Sequence, residues 1–589
     1  MPDPRPKTRT QRLTDLAVLA LFLCLVIWKL APAWEQDPGR AVPTQAIEIG
    51  QPLAQSQEAL RRADLTFYTW LTARNARVLT TSPMSLFEAE NCAPTAHSLA
   101  LSAPGVTLGL YGIPALAISG NPILTYNFVV ATMLLFAAFA LYLLIVEWTG
   151  SVAAGITAGL LYGLHAVRID LLLWVAEVDT TWTILALLLA RRLFARGRNR
   201  DAVLLAAVCC LQMVTSFYSF LASTLLGVCF GVWLLKTYGL KHVQARQLAA
   251  LAAFLGLFAT LFFAPYFELR DAGELFQRDF QAPMPLSAYL PGQPHFLGLT
   301  IWILVGVALI RGKKGLRASL QGDPRGVLAL SAGITALVAA GWSLNYQFKT
   351  IWEGAPFSLP DFFQLLAALV PGLQNIRVIS LITAGVDAAA CILAGIGAAA
   401  LIHHAGRWKN VAGVAIVAFA LLDIMGPRLP GFTAASRVEG LDIHPEHERI
   451  AFSEELGRLA SPGPIFELPF DHGRGTTVAF GPERVLLSFY HRRKTSACYS
   501  AYPPQSRGAL ADSVRPPLNR EGIHQLQRMG FETLVLHGPN RPGNVYAADL
   551  KRLANEPAPL IEALLDSSHR VAYSIVARPE PGNVSNPVH

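Results

Sequence analysis

Charge is scarce in this chain. Only 15% of its 589 residues are Asp, Glu, Lys or Arg, against roughly 25% in soluble domains. Hydrophobic residues make up 53%. That balance excludes an ordinary soluble protein and points to a polytopic membrane protein. Cysteine is scarce too, at seven. Cys24, Cys209, Cys210, Cys229 and Cys391 lie in apolar runs, where cysteine packs as a small hydrophobe. Only Cys92 and Cys498 fall in polar stretches, and a disulfide between them stays open. No CxxC pair or Cys/His cluster suggests zinc. A glycine-rich phosphate loop, a nucleophile elbow and a clear internal repeat are also missing. The net charge of +8 sits in basic clusters that read as topology signals, not as a nucleic-acid surface.

What is present is a series of apolar runs. A helix crosses a bilayer with ~20 apolar residues. Segments 14–33, 124–146, 151–167, 171–190, 202–217, 219–236, 248–266, 296–310, 326–344, 379–402 and 410–426 are candidates. The basic start MPDPRPKTRTQR precedes the first of them without an A-x-A cleavage site, which reads as a signal anchor. Segment 98–120 is apolar but broken by Pro104, Gly105, Gly112 and Pro114. The positive-inside rule arbitrates. Leaving 98–120 out places RRLFARGRNR (191–200) and the basic segments 236–246, 311–325 and 403–409 on the cytoplasmic side with the N-terminus. Segment 98–120 then reads as external or re-entrant helices packed on the bundle.

The expected fold is mostly α: a transmembrane helix bundle of about eleven spans, with external first-loop helices and a C-terminal soluble α/β domain. The expected division is a cytoplasmic N-terminus and first span (1–33), an external first loop (34–123), a transmembrane bundle (124–426) and a periplasmic α/β domain (427–589). In that tail, 446–460 is amphipathic, PIFELPF reads as a strand, 520–529 as a helix, and FETLVLHG and RVAYSIVA as further strands. Segments 267–295 and 345–378 are external as well.

Several acids have chemistry open to them. Asp64 lies in RRADLTFYTW, in the first external loop. A carboxylate there can act as general base on an acceptor hydroxyl, or simply pair with Arg61 or Arg62. Glu88, Glu90 and His97 follow closely. Two carboxylates and a histidine suit a divalent cation such as Mg2+ or Mn2+, or proton transfer; a solvated polar loop is the plainer reading. In RIDLLLWVAEVDTTW, Asp170 and Glu177 are seven apart and would share a helical face. Arg168 beside them suits phosphate oxygens, or snorkels to headgroups while the acids complement a helix dipole. Tyr266, Glu268 and Arg270 emerge from a later span beside Asp271 and Glu274, either lining a cavity or forming an interfacial belt. His491 with Arg492, Arg493 and Lys494 forms a basic patch.

Taken together, several stretches resemble the GT-C superfamily of membrane glycosyltransferases, in particular the bacterial polyprenyl-phosphate-sugar dependent enzymes (family-39-like) and their YfhO-like relatives. The stretches are Asp64 to Trp70; Ser82-Pro83 with Leu86-Phe87, Asn91, Pro94 and His97; Gly120-Asn121-Pro122 with Tyr126-Asn127; Pro265-Tyr266; Glu467-Leu468-Pro469; and His491 through Tyr499-Ser500. The resemblance covers about residues 60 to 540. It implies transfer of a sugar from a polyprenyl phosphate on the external face, with inversion at the anomeric carbon. It implies that an acid in the first external loop is the base, a position at which Asp64 stands. Leu65 stands where relatives carry a second acid, and Ala497-Cys498 where they carry Asn-Gly.

The expectation is therefore an inner-membrane glycosyltransferase of a bacterial cell envelope, multi-pass, with its tail in the periplasm. Asp64, Glu88 and Glu90 are its candidate catalytic residues. His97, Arg168, Asp170, Glu177, Tyr266 and Arg270 are candidates for substrate binding. Expected partners are a polyprenyl-phosphate-linked sugar, a glycan, lipid or protein acceptor, and membrane lipid, with no nucleic acid. No cofactor is certain, and a divalent cation, Mg2+ or Mn2+, stays open. The alternatives are a catalytically silent lipid-binding or scaffold relative, and a transporter or flippase.

Overall fold

Long apolar runs become helices because no water in a bilayer core can satisfy a free backbone amide. The computed structural model describes residues 9–35, 37–46, 55–275, 282–311, 323–352, 358–370, 373–426, 437–459, 463–470, 477–541, 544–567 and 569–576. Most of the expected basic segments 1–12 and 311–325 lies outside them. Seven helices are long and apolar enough to cross a membrane: Arg9–Trp34, Pro122–Thr149, Val152–Asp170, Phe217–Tyr238, Ala245–Asp271, Ile379–His404 and Gly406–Met425. The pair Arg325–Ala340 and Ser343–Ile351, bent by 91°, makes an eighth if it counts as one span.

Three other expected spans are carried by shorter helices. Thr181–Arg196 has 16 residues, Asn199–Met213 has 15 and Leu299–Arg311 has 13. A straight crossing takes ~20. Segment 98–120 supplies the helix Val106–Ser119, which packs on Pro122–Thr149. At 14 residues it is ~21 Å long, short of the ~30 Å hydrocarbon core.

The chain divides into two compact units. The first gathers 1–52, 104–264 and 276–442 and is the helical bundle. Its central helix, Ala384–His404, is buried over most of its length and rich in Ala and Gly. Small residues let helices approach closely where lipid gives no hydrophobic drive between them. A Cβ on Gly397 would lie 1.9 Å from the Leu304 carbonyl oxygen, so that crossing tolerates no side chain. The residues Asn121-Pro122 and Tyr126-Asn127 have local work. Asn121 Oδ1 accepts from the Ile123 and Leu124 amides at 2.8 and 3.2 Å, capping the helix behind Pro122. Asn127 Nδ2 donates to the carbonyls of Pro38 and Ala41 at 2.7 and 2.8 Å. That pins β1 (Ala41–Gln45), which pairs antiparallel with β2 (Val438–Asp442).

The second unit gathers 53–103, 265–275 and 443–589. It contains the α/β domain expected in the tail. Its sheet has the order β3-β4-β6-β5, from β3 (Ile465–Leu468), β4 (Thr533–His537), β5 (Ile561–Asp566) and β6 (Arg570–Ile575). β3 and β4 are parallel, and the other pairs are antiparallel. Side chains alternate across the sheet. Phe466, Leu468, Leu534 and Leu536 enter one core with Leu526 and Leu550, while Ile465 and Val535 enter the other with Phe452 and Leu456. Helices therefore cover both faces. The long helix Gln55–Thr81 packs against Thr477–His491, and Trp70 Nε1 donates to Ser488 Oγ at 3.0 Å.

Candidate active site

The first-loop residues of the second unit are built on one buried cation. Arg74 is fully buried on Gln55–Thr81. Its guanidinium donates to Glu90 at 3.1 Å, Asn75 Oδ1 at 3.1 Å and the carbonyls of Ser85 and Glu88 at 3.1 and 3.0 Å, and also to that of Leu86. A planar fork of donors suits this turn, because each carbonyl needs a partner once buried. Arg77 Nη2 meets the other Glu90 oxygen at 2.7 Å and Nη1 donates to the Phe489 carbonyl at 2.8 Å. Burial pulls both guanidiniums below their usual range, with Glu90 acting against that fall.

The loop is then tied to the tail. The Cys92 and Ala93 amides donate to the carbonyls of Ala497 and Thr495, both at 2.9 Å. Cys92 and Cys498 form a disulfide, which settles the pairing that spacing left open.

Three acids stand around this frame with different neighbours. Asp64 is half-buried on Gln55–Thr81 and accepts a hydrogen bond from the Tyr499 hydroxyl. Phe67, one turn on, has its ring 5.6 Å from that of Tyr499. Glu88 lies 2.6 Å from Lys494 Nζ and 2.8 Å from His97 Nδ1. Partial burial would raise the Glu88 carboxyl, but the bonds from Lys494 and the His97 amide outweigh it and hold the group below the usual carboxylate range. His97 also reaches Glu268 through Nε2 at 3.0 Å. His97 has φ +50°, a left-handed conformation uncommon outside glycine. Imidazole, two carboxylates and an ammonium thus form one partly exposed chain, suited to moving a proton or binding hydroxyls.

Tyr266 donates to the Ser102 carbonyl at 3.3 Å and meets Phe87 edge-on. Arg270 bonds its own neighbour, Asp271, at 2.8 and 3.0 Å and lies over Phe267. Among the described residues no three His, Cys, Asp or Glu side chains are arranged to hold a metal ion. Glu88 and Glu90, expected as a ligand pair, are each committed to different cations.

Arg168, Asp170 and Glu177 belong to the first unit. The expectation of one helical face for Asp170 and Glu177 needs correction. Helix Ala166–Asp170 ends there, a 3-10 turn covers Leu172–Trp174, and the next helix starts at Thr181. Two hydrogen bonds mark the break. The Asp179 carboxylate accepts the Thr181 amide at 3.0 Å, and its carbonyl accepts Gln212 Nε2 at 2.9 Å. A short polar side chain bonded two residues on competes with the helix. Arg168 is buried over the Tyr162 ring, 4.3 Å from its centroid, and donates to the Val178 carbonyl.

Sequence reasoning missed Tyr499 and Lys494 as partners of Asp64 and Glu88. Both lie in the His491–Ser500 stretch that carried part of the resemblance, so the signal was present without an assigned use.

No family model and no curated protein matches the chain. Solved structures do. One is the arabinofuranosyltransferase AftD from mycobacteria, with 15% identity, 96% of this chain and 40% of that chain covered, and a TM-score of 0.47. Another is the archaeal oligosaccharyltransferase AglB from Archaeoglobus fulgidus, solved with an inhibitory peptide and a dolichol-phosphate, with 12% identity, 90% and 70% covered, and a TM-score of 0.39. This chain spans 40% of the length of the first. Likeness at this level assigns no role to any residue.

Proposed function

We propose that this protein is a membrane glycosyltransferase that moves a sugar from a polyprenyl phosphate to an envelope acceptor on the external face, with Asp64 as base. The acceptor hydroxyl oxygen attacks the anomeric carbon, and Asp64 takes the hydroxyl proton. The bond from that carbon to the phosphate oxygen breaks on the opposite side, and polyprenyl phosphate leaves with the electron pair. Configuration inverts.

The observation that supports this choice of base is that the other two candidate acids sit on cations. Glu90 sits on two arginines, and Glu88 on a lysine and a histidine. An adjacent cation stabilises a carboxylate and weakens it as a base. Asp64 accepts a hydrogen bond from the Tyr499 hydroxyl. The sequence resemblance places the base at the same residue. Glu88, His97 and Glu268 then serve to bind sugar or acceptor hydroxyls.

The test is transfer from radiolabelled polyprenyl-phosphate sugars in membranes, with wild type beside Asp64→Asn, Tyr499→Phe and Glu88→Gln. A positioned general base contributes about 10²–10⁴-fold, so Asp64→Asn should lose transfer by that factor at unchanged protein level. Tyr499→Phe should lose much less. Equal transfer by wild type and Asp64→Asn removes Asp64 from the chemistry. No transfer by wild type across a panel of donors replaces this reading with a silent lipid-binding relative.

A further inference from the structure

The first unit contains a cavity of about 980 Å³ between the start of Val152–Gly163, the end of Ala384–His404 and the helix Lys409–Met425. One end is polar, with Ser151, His403 and the Lys409 ammonium. The rest is apolar, lined by residues such as Ile156, Val417 and Leu421. Among the described residues no acid lines it. Beside the polar end, Trp408 is 59% exposed and carries the Arg407 guanidinium over its ring. An exposed Trp next to basic residues marks the headgroup level of a membrane. From Lys409 to Leu421 the helix rises ~18 Å, close to the ~15 Å hydrocarbon depth of a single leaflet.

We infer that this groove is a binding site for one anionic phospholipid, its phosphate on His403 and Lys409 and an acyl chain along Ile156, Val417 and Leu421. A small soluble anion would use the polar end and leave the apolar length empty. A zwitterionic lipid would fill that length and gain less at the head, because its own cation competes with His403 and Lys409. Charge and length together select the anionic lipid. The inference is independent of the transfer reaction proposed above.

Native mass spectrometry of the detergent-purified full chain tests it, with phosphatidylglycerol and phosphatidylcholine of identical chains as probes. A basic side chain near a membrane surface favours anionic lipid by about fivefold, so wild type should retain phosphatidylglycerol at least about fivefold better. His403→Gln with Lys409→Gln should bring the two lipids to parity. Both positions are exposed, so folding should survive. Ala418→Trp, which fills the exposed apolar wall while keeping His403 and Lys409, should lower retention of both lipids. Equal retention by wild type overturns the inference. So does a preference that survives the double substitution, or unchanged retention in Ala418→Trp.

Discussion

Replacing Arg74 by alanine is expected to cost ~3–5 kcal/mol, the usual loss when one partner of a buried charge pair is removed. Its side chain is wholly buried and donates to Glu90, Asn75 and the carbonyls of Ser85, Leu86 and Glu88. Arg77 still neutralises Glu90 in the variant, which holds the estimate to the lower part of that range. Each carbonyl left without a donor adds ~1–3 kcal/mol, except where water enters the vacated space. For a unit of about 200 residues, 1 kcal/mol moves the melting temperature by ~2–4 °C, so a drop of roughly 6–15 °C is expected. Scanning fluorimetry of the purified chain measures it, with limited proteolysis between residues 82 and 98 as a local readout. Arg74→Lys should recover little, since an ammonium lacks the planar fork. In a double-mutant cycle, Glu90→Gln should cost markedly less in the Arg74→Ala background than in wild type. A shift below ~2 °C with the loop still resistant to protease would refute the clamp.

Other outcomes follow from the same coordinates. Cys92→Ser removes a bridge across 406 residues of sequence and should cost ~2–5 kcal/mol, seen as a lower melting temperature and altered mobility on non-reducing gels. Stability should fall with acid below neutrality. Burial keeps His491 neutral down to about 4 and His537 down to about 3, the latter helped by nearby Arg484. The unfolded chain takes up both protons near pH 6.5 and the folded one does not, so stability is complete above that pH and declines below it. The slope should reach roughly 2.7 kcal/mol per pH unit for two protons, and a melting temperature flat from pH 7 to 5 would contradict it. Gly397→Ala must push the Leu304 carbonyl away and should lose ~1–3 kcal/mol or more, read as reduced yield of folded protein.

Hydropathy located the apolar helices of the first unit, and alternation located β3, β4 and β6 in the tail. The structure caps one of these helices with Asn121 ahead of Pro122 and ends it at Gly150, φ +71°. These are local properties, in which period, propensity and caps act over a few residues of neighbouring chain. The helix break before Thr181 was not legible, because Gln212 holds the Asp179 carbonyl from another helix.

The site was half legible. Its acids could be listed from the sequence, but not the partner each would take. Glu90 went to Arg74 and Arg77, Glu88 to Lys494 and His97, and Asp64 to Tyr499. A carboxylate's chemistry depends on the charge within a few ångströms of it. For Asp64 and Glu88 that neighbour lies more than 400 residues away in sequence, and only the folded chain brings it there. The sequence by itself determined that this protein lives in lipid and carries an α/β tail, because burial of apolar surface is written along the chain. Tertiary structure alone decided which groups stand against each acid, because that depends on contacts between segments whose local patterns carry no record of each other.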